Sequence, residues 1–193
     1  MPLLSAFLRR QRLRAAAPYI RGDVLDIGCG KADILADLDP EQAYVGIEGH
    51  PGIYHWLVEN LEGYEFHRLD LDNEDIMLDR EFDTVLMLAV IEHLKNPSRL
   101  LDRIPQLLRP KGRAILTTPS PMGDTVHKLG TRIGLFSQIA AEEHETVYEP
   151  RTLIEQLIRS DLKLEHYRSF LLGGNQLFVC SPILRSNANS PAP

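Results

Sequence analysis

The chain has 193 residues and a mass of 21.8 kDa, a length that suits one domain with a buried core and leaves little for a second. With 44% hydrophobic and 25% charged residues, the composition argues against disorder and fibrous repeats. The longest uninterrupted apolar run, Val85 to Ile91, is far short of the roughly 20 residues a membrane helix needs.

The chain begins with apolar residues ahead of its arginines, the reverse of a secretory signal. Its two cysteines, Cys29 and Cys180, lie in apolar strand-like runs and make no disulfide framework. A cytoplasmic protein with reduced thiols is expected. Residues 1–21 hold five arginines and no acid, leaving 16 basic against 27 acidic groups, a net of −11, in the remainder. That acidic body speaks against a nucleic-acid partner, whose phosphates need broad basic neutralisation. The basic arm, residues 1–20, has two readings. It can contact anionic lipid or a phosphate-bearing substrate. Alternatively, it is an amphipathic capping helix with Leu3, Leu4, Phe7 and Leu8 on the core and its arginines in water.

From Asp23 onward, strand-like runs (Val24–Ile27, Tyr44–Ile47, Tyr64–Leu69, Phe82–Leu88, Arg113–Thr118) alternate with helical patterns near Ala32–Leu38, Ile53–Leu61 and Ser98–Leu108. Such alternation predicts a mostly parallel sheet covered by helices. Asn96 and Pro97 open the third helix, while Pro105 predicts a kink or an early end to it. Met122, Val126, Leu129, Ile133 and Phe136 then recur at helical spacing but are interrupted by Gly123, Gly130 and Gly134, the pattern of a broken, partly apolar lid over 120–148. A helix over Pro150–Ser160 and strands over Leu162–Leu171 and Gln176–Ser181 follow, joined by a hairpin turn at Gly173-Gly174-Asn175. The tail, 186–193, is polar and expected to be disordered. The expected organisation is a single domain over 1–185.

Two glycines in Val24-Leu25-Asp26-Ile27-Gly28-Cys29-Gly30 sit where a buried strand turns towards a helix, a place where a bare backbone approaches a ligand closely. Glu48 closes the second strand 20 positions after Gly28, the spacing at which a carboxylate accepts both hydroxyls of a ribose. Turn and carboxylate together imply an adenosine-containing ligand. A dinucleotide site would place a third glycine at position 33, but Asp33 stands there and would repel a pyrophosphate. Asp26, on an otherwise apolar strand, suits a cationic ligand instead.

With these residues the chain resembles the class I S-adenosylmethionine-dependent methyltransferases, in particular the small-molecule, type 11-like branch. The likeness covers about residues 20–181. It extends to Tyr44-Val45-Gly46-Ile47-Glu48, Leu69-Asp70-Leu71, Phe82-Asp83-Thr84-Val85, Ile91-Glu92-His93-Leu94 and Leu107-Leu108-Arg109-Pro110-Lys111-Gly112-Arg113. The resemblance implies an α/β, Rossmann-like, seven-stranded and mostly parallel sheet with an antiparallel last strand and helices on both faces. It also implies S-adenosylmethionine as cofactor. Asp26, Gly28, Cys29 and Gly30 would then lie at its methionine end, Glu48 and Gly49 at the ribose, Asp70 and Leu71 at the adenine, and Leu88 and Ala89 at the end of the fourth strand. Ala32 departs from the family's usual glycine, an extra methyl the turn should tolerate.

The sulfonium methyl is already electrophilic, so alignment is the main task and a general base is optional. His93, after the fourth strand, and His144, after the lid, are the candidate bases for a hydroxyl acceptor. A structural histidine and a solvated Glu142-Glu143-His144 run are the alternatives. Relatives that bind a cation place a glutamate where Ala89 stands, so no metal requirement is expected. No Asn-Pro-Pro-Tyr or Asp-Pro-Pro-Tyr stretch follows the fourth strand, which favours a small-molecule acceptor beneath the lid, with phosphorylated and lipid-linked molecules among the candidates. Two rival functions are a catalytically inactive binding subunit on the same fold and an NAD-dependent oxidoreductase.

Overall fold

The described residues form seven strands, β1 (Val24–Ile27), β2 (Tyr44–Glu48), β3 (Glu65–Arg68), β4 (Phe82–Leu88), β5 (Leu108–Pro119), β6 (Leu162–Phe170) and β7 (Asn175–Pro182), most apolar in the centre of the sheet and more polar in β3 and β6 at its edges. The computed structural model describes residues 3–122 and 146–184, with side chains from Ala6 onward. The strands form one sheet in the order β3-β2-β1-β4-β5-β7-β6. The first five strands run parallel to one another, and β7 pairs antiparallel with both β5 and β6. The four residues of β1 are all buried, as a central parallel strand covered on both faces must be.

Among the described residues, four α-helices cover the sheet: α1 (Leu3–Ala16), α2 (Pro51–Asn60), α3 (Pro97–Leu107) and α4 (Pro150–Arg159). One face packs Leu100, Leu101, Ile104 and Leu107 of α3 and Leu153 and Leu157 of α4 against Leu25, Val85 and Phe178. The other packs Leu13 and Ala16 of α1 and Leu57 of α2 against Val24, Leu86 and Ile115. This is the Rossmann-like layering expected from the alternation of runs.

Several local expectations change. Along α1, Phe7 is 48% exposed, and the inward stripe is Leu8, Arg9, Arg12, Leu13, Ala15 and Ala16. Two arginines expected in water reach partners: Arg9 pairs with Asp33 at 2.5 Å and Arg12 Nε donates to Asn175 Oδ1 at 2.9 Å. The small alanines let the helix approach closely while arginine stems cover apolar surface. The side chains of Leu3 and Leu4 lie outside the described residues.

The helix expected at Ala32–Leu38 is a 3₁₀ segment, Asp33–Asp37, because Ala32 adopts φ 54°, ψ 38° and breaks the α-helical path at its start. α3 continues two residues past Pro105 and passes directly into β5. The pairing of β5 with β4 shifts between Phe82↔Leu108 and Thr84↔Arg113, so β5 begins before Arg113, across an irregularity. In the β6–β7 hairpin, Gly174 N donates to Leu171 O at 2.9 Å, and φ is positive at Leu172 (54°) and Gly173 (86°). This is a type I′ turn centred one residue earlier than the glycine pair suggested. The expected lid falls almost wholly on 123–145 and the expected tail on 186–193; these stretches, and His144, lie outside the described residues.

Candidate functional site

Parallel strands present their carboxyl ends along one edge, where open α/β sheets bind ligands. A cleft of about 550 Å³ opens there, between the ends of β1, β2, β3 and β4. Gly28, Glu48, Gly49, Asp70, Leu71, Ala89 and His93 line it. Asp26, Cys29, Gly30 and Leu88 are not among its lining residues.

The turn after β1 depends on glycine. Gly28 has φ 70°, and a Cβ there would come within 2.6 Å of Val90 Cγ2. Gly30 has φ 56° and its amide donates to Glu48 Oε2 at 2.9 Å. The other carboxylate oxygen, Oε1, accepts the His50 amide at 2.8 Å. His50 in turn caps α2, its Nδ1 accepting from the amides of Gly52 and Ile53 at 3.1 and 3.3 Å. Each Glu48 oxygen therefore holds one fixed donor and keeps acceptor capacity for a ligand hydroxyl.

Asp70 sits on the turn after β3. Its Oδ2 accepts from Asn73 Nδ2 at 2.7 Å and its Oδ1 from the Asp72 amide at 3.1 Å. These donors, Asn73 first, hold its carboxyl below the usual range, so it is an acceptor only. Asp70 N donates to Glu74 Oε2 at 2.8 Å, closing the turn. On the opposite wall, Ala89 adopts φ 60° and its amide donates to Thr117 O at 2.8 Å. This positive φ turns the chain sharply at the end of β4. Leu88, one residue before, packs into the core on the face carrying α1 and α2.

Asp26 lies beneath the glycine turn. It is 5% exposed, and Tyr44 donates its hydroxyl to Asp26 Oδ2 at 3.0 Å. Burial pushes its carboxyl up to about 7, against the lowering effect of the Tyr44 bond and with a further push from the Glu48 and Asp33 charges. Burial, followed by the Asp26 charge, raises the Cys29 thiol and the Tyr44 hydroxyl as well, so neither supplies a nucleophile near neutral pH. Gly46 makes room for this cluster: a Cβ there would meet Phe66 at 2.7 Å and Cys29 Sγ at 2.9 Å.

His93 follows β4 on a 3₁₀ turn (Ile91–His93), its amide donating to Val90 O at 3.0 Å and its side chain exposed at the cleft. Its neighbour Glu92 is 1% exposed and its backbone carbonyl accepts the Thr146 amide at 2.9 Å, tying β4 to the segment before α4. Among the described residues, no three His, Cys, Asp or Glu side chains are grouped to hold a metal ion. The cleft also takes Arg68, Asp72, Glu74 and Val90, which the sequence did not single out, and Leu69 and Leu94, which entered only as members of motifs. Their signal was adjacency to Asp70, Ala89 and His93.

The strand order with its antiparallel β7, the glycine turn after β1 and the carboxylate that closes β2 together give the fold of the class I S-adenosylmethionine-dependent methyltransferases. The chain belongs to the methyltransferase domain family, whose model matches residues 4–167. A ubiquinone biosynthesis O-methyltransferase from Dictyostelium discoideum is 28% identical over 111 residues, 50% of this chain and 35% of that protein. A tRNA U34 carboxymethyltransferase from Syntrophotalea carbinolica is 32% identical over 115 residues, 56% of this chain and 35% of that protein. The chain thus spans about a third of the length of these curated relatives. The fold matches that of an S-adenosylmethionine-dependent methyltransferase from Mesorhizobium loti, with TM-score 0.70 and 18% identity over 90% of this chain and 97% of the other. No helix among the described residues is long and apolar enough to cross a membrane.

Proposed function

We propose that the protein transfers the methyl group of S-adenosylmethionine to a small-molecule acceptor by in-line displacement. The observation that carries this reading is Glu48, whose two oxygens are each fixed by a backbone amide at the mouth of the cleft. A carboxylate so held accepts ribose hydroxyls without reorganising. The site fits the cofactor: Gly28 and Gly49 leave bare backbone along the cleft, where a Cβ would meet Val90 Cγ2 at 2.6 Å and Leu69 O at 3.1 Å, and the surrounding donor set is acidic.

When bound, S-adenosylmethionine supplies an electrophilic methyl on a sulfonium. The Gly28–Gly30 turn would receive its methionine end, with the Asp26 carboxyl behind. Glu48 and Gly49 would orient the ribose, and Asp70 and Leu71 the adenine edge. Ala89 would keep the wall beside the sulfonium small. His93 would take the proton of a hydroxyl acceptor as the new bond forms. Residues 1–185 would act as one methyltransferase domain in the cytoplasm.

A small-molecule acceptor agrees with the name of the Dictyostelium relative, while that of the Syntrophotalea relative supports a second reading in which the acceptor is a tRNA nucleoside. Calorimetry separates S-adenosylmethionine from NAD as ligand, and saturable binding of NAD alone would overturn the cofactor assignment. Transfer of labelled methyl is then assayed on quinol precursors, phosphorylated metabolites and bulk tRNA. Incorporation into tRNA alone selects the second reading; tight cofactor binding with no transfer to any pool selects a catalytically inactive subunit.

A further inference from the structure

The amino ends of the parallel strands lie at the edge of the sheet opposite the cofactor cleft, and a second cavity of about 340 Å³ opens among Tyr19, Arg21, Lys111, Arg113, Glu165 and His166. Three cationic side chains converge here although the chain after residue 21 carries a net −11. Arg21 is anchored by a hydrogen bond from Nη2 to Lys111 O. Arg113, half-buried, donates no hydrogen bond to, and forms no ion pair with, the described side chains; burial and then the charge of Arg21 lower its pKa, with Glu165 offsetting in part. An arginine does not give up its proton in a protein, so the fold carries this repulsion as a cost that a bound anion would relieve.

The acid in the cavity is already committed. Glu165 Oε1 accepts from Ser181 Oγ at 2.8 Å and pairs with Lys163 Nζ at 3.1 Å. The other nearby acids, Asp23 and Asp83, both pair with Arg109. His166 stacks on Tyr19 with centroids 5.2 Å apart, and its Nε2 is buried without a hydrogen-bond partner. A bulge sets this geometry, since the pairing of β6 steps from Leu164↔Cys180 to His166↔Val179 and leaves Glu165 as the extra residue. Bulges re-aim side chains in this way.

We infer that this cavity is a second binding site, separate from the cofactor cleft, for a phosphate or pyrophosphate group carried by another molecule. The Arg21 and Arg113 forks match tetrahedral phosphate oxygens, Lys111 adds charge at the rim, and the orphan His166 Nε2 offers a further polar partner. The volume is at the small end for a ligand pocket and fits one or two phosphate groups better than a long chain of contacts.

The test titrates the full chain with inorganic pyrophosphate by calorimetry, and in parallel with vesicles of phosphatidic acid in phosphatidylcholine. Saturable pyrophosphate binding with Kd below about 1 mM is expected, weakened about tenfold, or about 1.4 kcal/mol, by either Arg113→Gln or Arg21→Gln. Lys111→Gln, an exposed change that leaves the fold intact, is expected to weaken it about threefold. S-adenosylmethionine affinity should remain within about twofold in all three variants. Binding to phosphatidic acid vesicles alone, lost in the same variants, would mean that a lipid headgroup presents the phosphate. Absence of both interactions, affinities indifferent to all three substitutions, or parallel loss of S-adenosylmethionine binding in Lys111→Gln would overturn the inference.

Discussion

The amide of Gly30 donates to Glu48 Oε2 across 2.9 Å, joining the turn after β1 to the end of β2. Through this bond the two halves of the proposed cofactor site position each other, and the His50 amide on Oε1 extends the link to the start of α2. Glu48→Ala removes a charged acceptor and frees the turn, so S-adenosylmethionine binding should weaken by about 1–3 kcal/mol. Glu48→Gln keeps one acceptor oxygen and should lose less. Calorimetry on both variants checks this, and unchanged affinity in Glu48→Ala would remove the carboxylate from the ribose.

Asp26 gives the fold a pH dependence whose sign follows from its burial. An exposed aspartate ionises near 3.8, whereas here the carboxyl holds its proton to about 7. Through that window the native state binds a proton the unfolded chain has lost, so this group's contribution to stability falls as pH rises and levels off above about 7. Asp26→Asn keeps an oxygen for the Tyr44 hydroxyl and removes the titration. Urea unfolding across the same window should show the variant gaining on the wild type as pH rises. A difference that does not vary with pH would mean Asp26 is ionised in the folded protein.

The central strands were legible because β1 and β4 are mostly apolar runs bounded by polar turns, and the Gly28 to Glu48 spacing is local to two successive strands and the turn between them. Positions set by tertiary packing were not. Phe7 near the start of α1 read as part of its buried face, yet it is exposed, and Ala15 and Ala16 make the close contact because small residues admit the sheet. The Asp33–Asp37 turn was read as a helix because nothing in the local sequence announces that Ala32 takes a left-handed conformation. The basic cavity was invisible for another reason: Arg113 and His166 are far apart in the chain and meet only through the pairing of β5, β6 and β7, and Arg21 joins them through its bonds to Thr84 and Lys111.

Leu172 is a local conflict of the same kind, visible only in the turn geometry. It holds φ 54° at the first central position of the type I′ turn and is fully exposed, so its side chain gains no burial to offset the strain. Asparagine followed by Gly173 is the preferred pair for this turn. Leu172→Asn should therefore stabilise the protein by about 1 kcal/mol. Denaturant midpoints measure the effect, and a destabilised variant would show that Leu172 contributes packing that its exposure conceals.

His93 tests whether the cleft does more than hold the cofactor. Its backbone is fixed by the bond to Val90 O, while its side chain stands exposed at the wall formed by Ala89 and Val90. Replacing the ring should leave S-adenosylmethionine affinity within about twofold, since no proposed cofactor contact depends on the imidazole. For a hydroxyl acceptor, His93→Ala should lower kcat by about 10²–10⁴-fold with KM little changed. A histidine that only braces the turn would instead raise KM or lower stability and leave kcat unchanged. Because those readouts differ, a full-speed His93→Ala enzyme would return proton removal to solvent or to another group and leave alignment as the main source of rate.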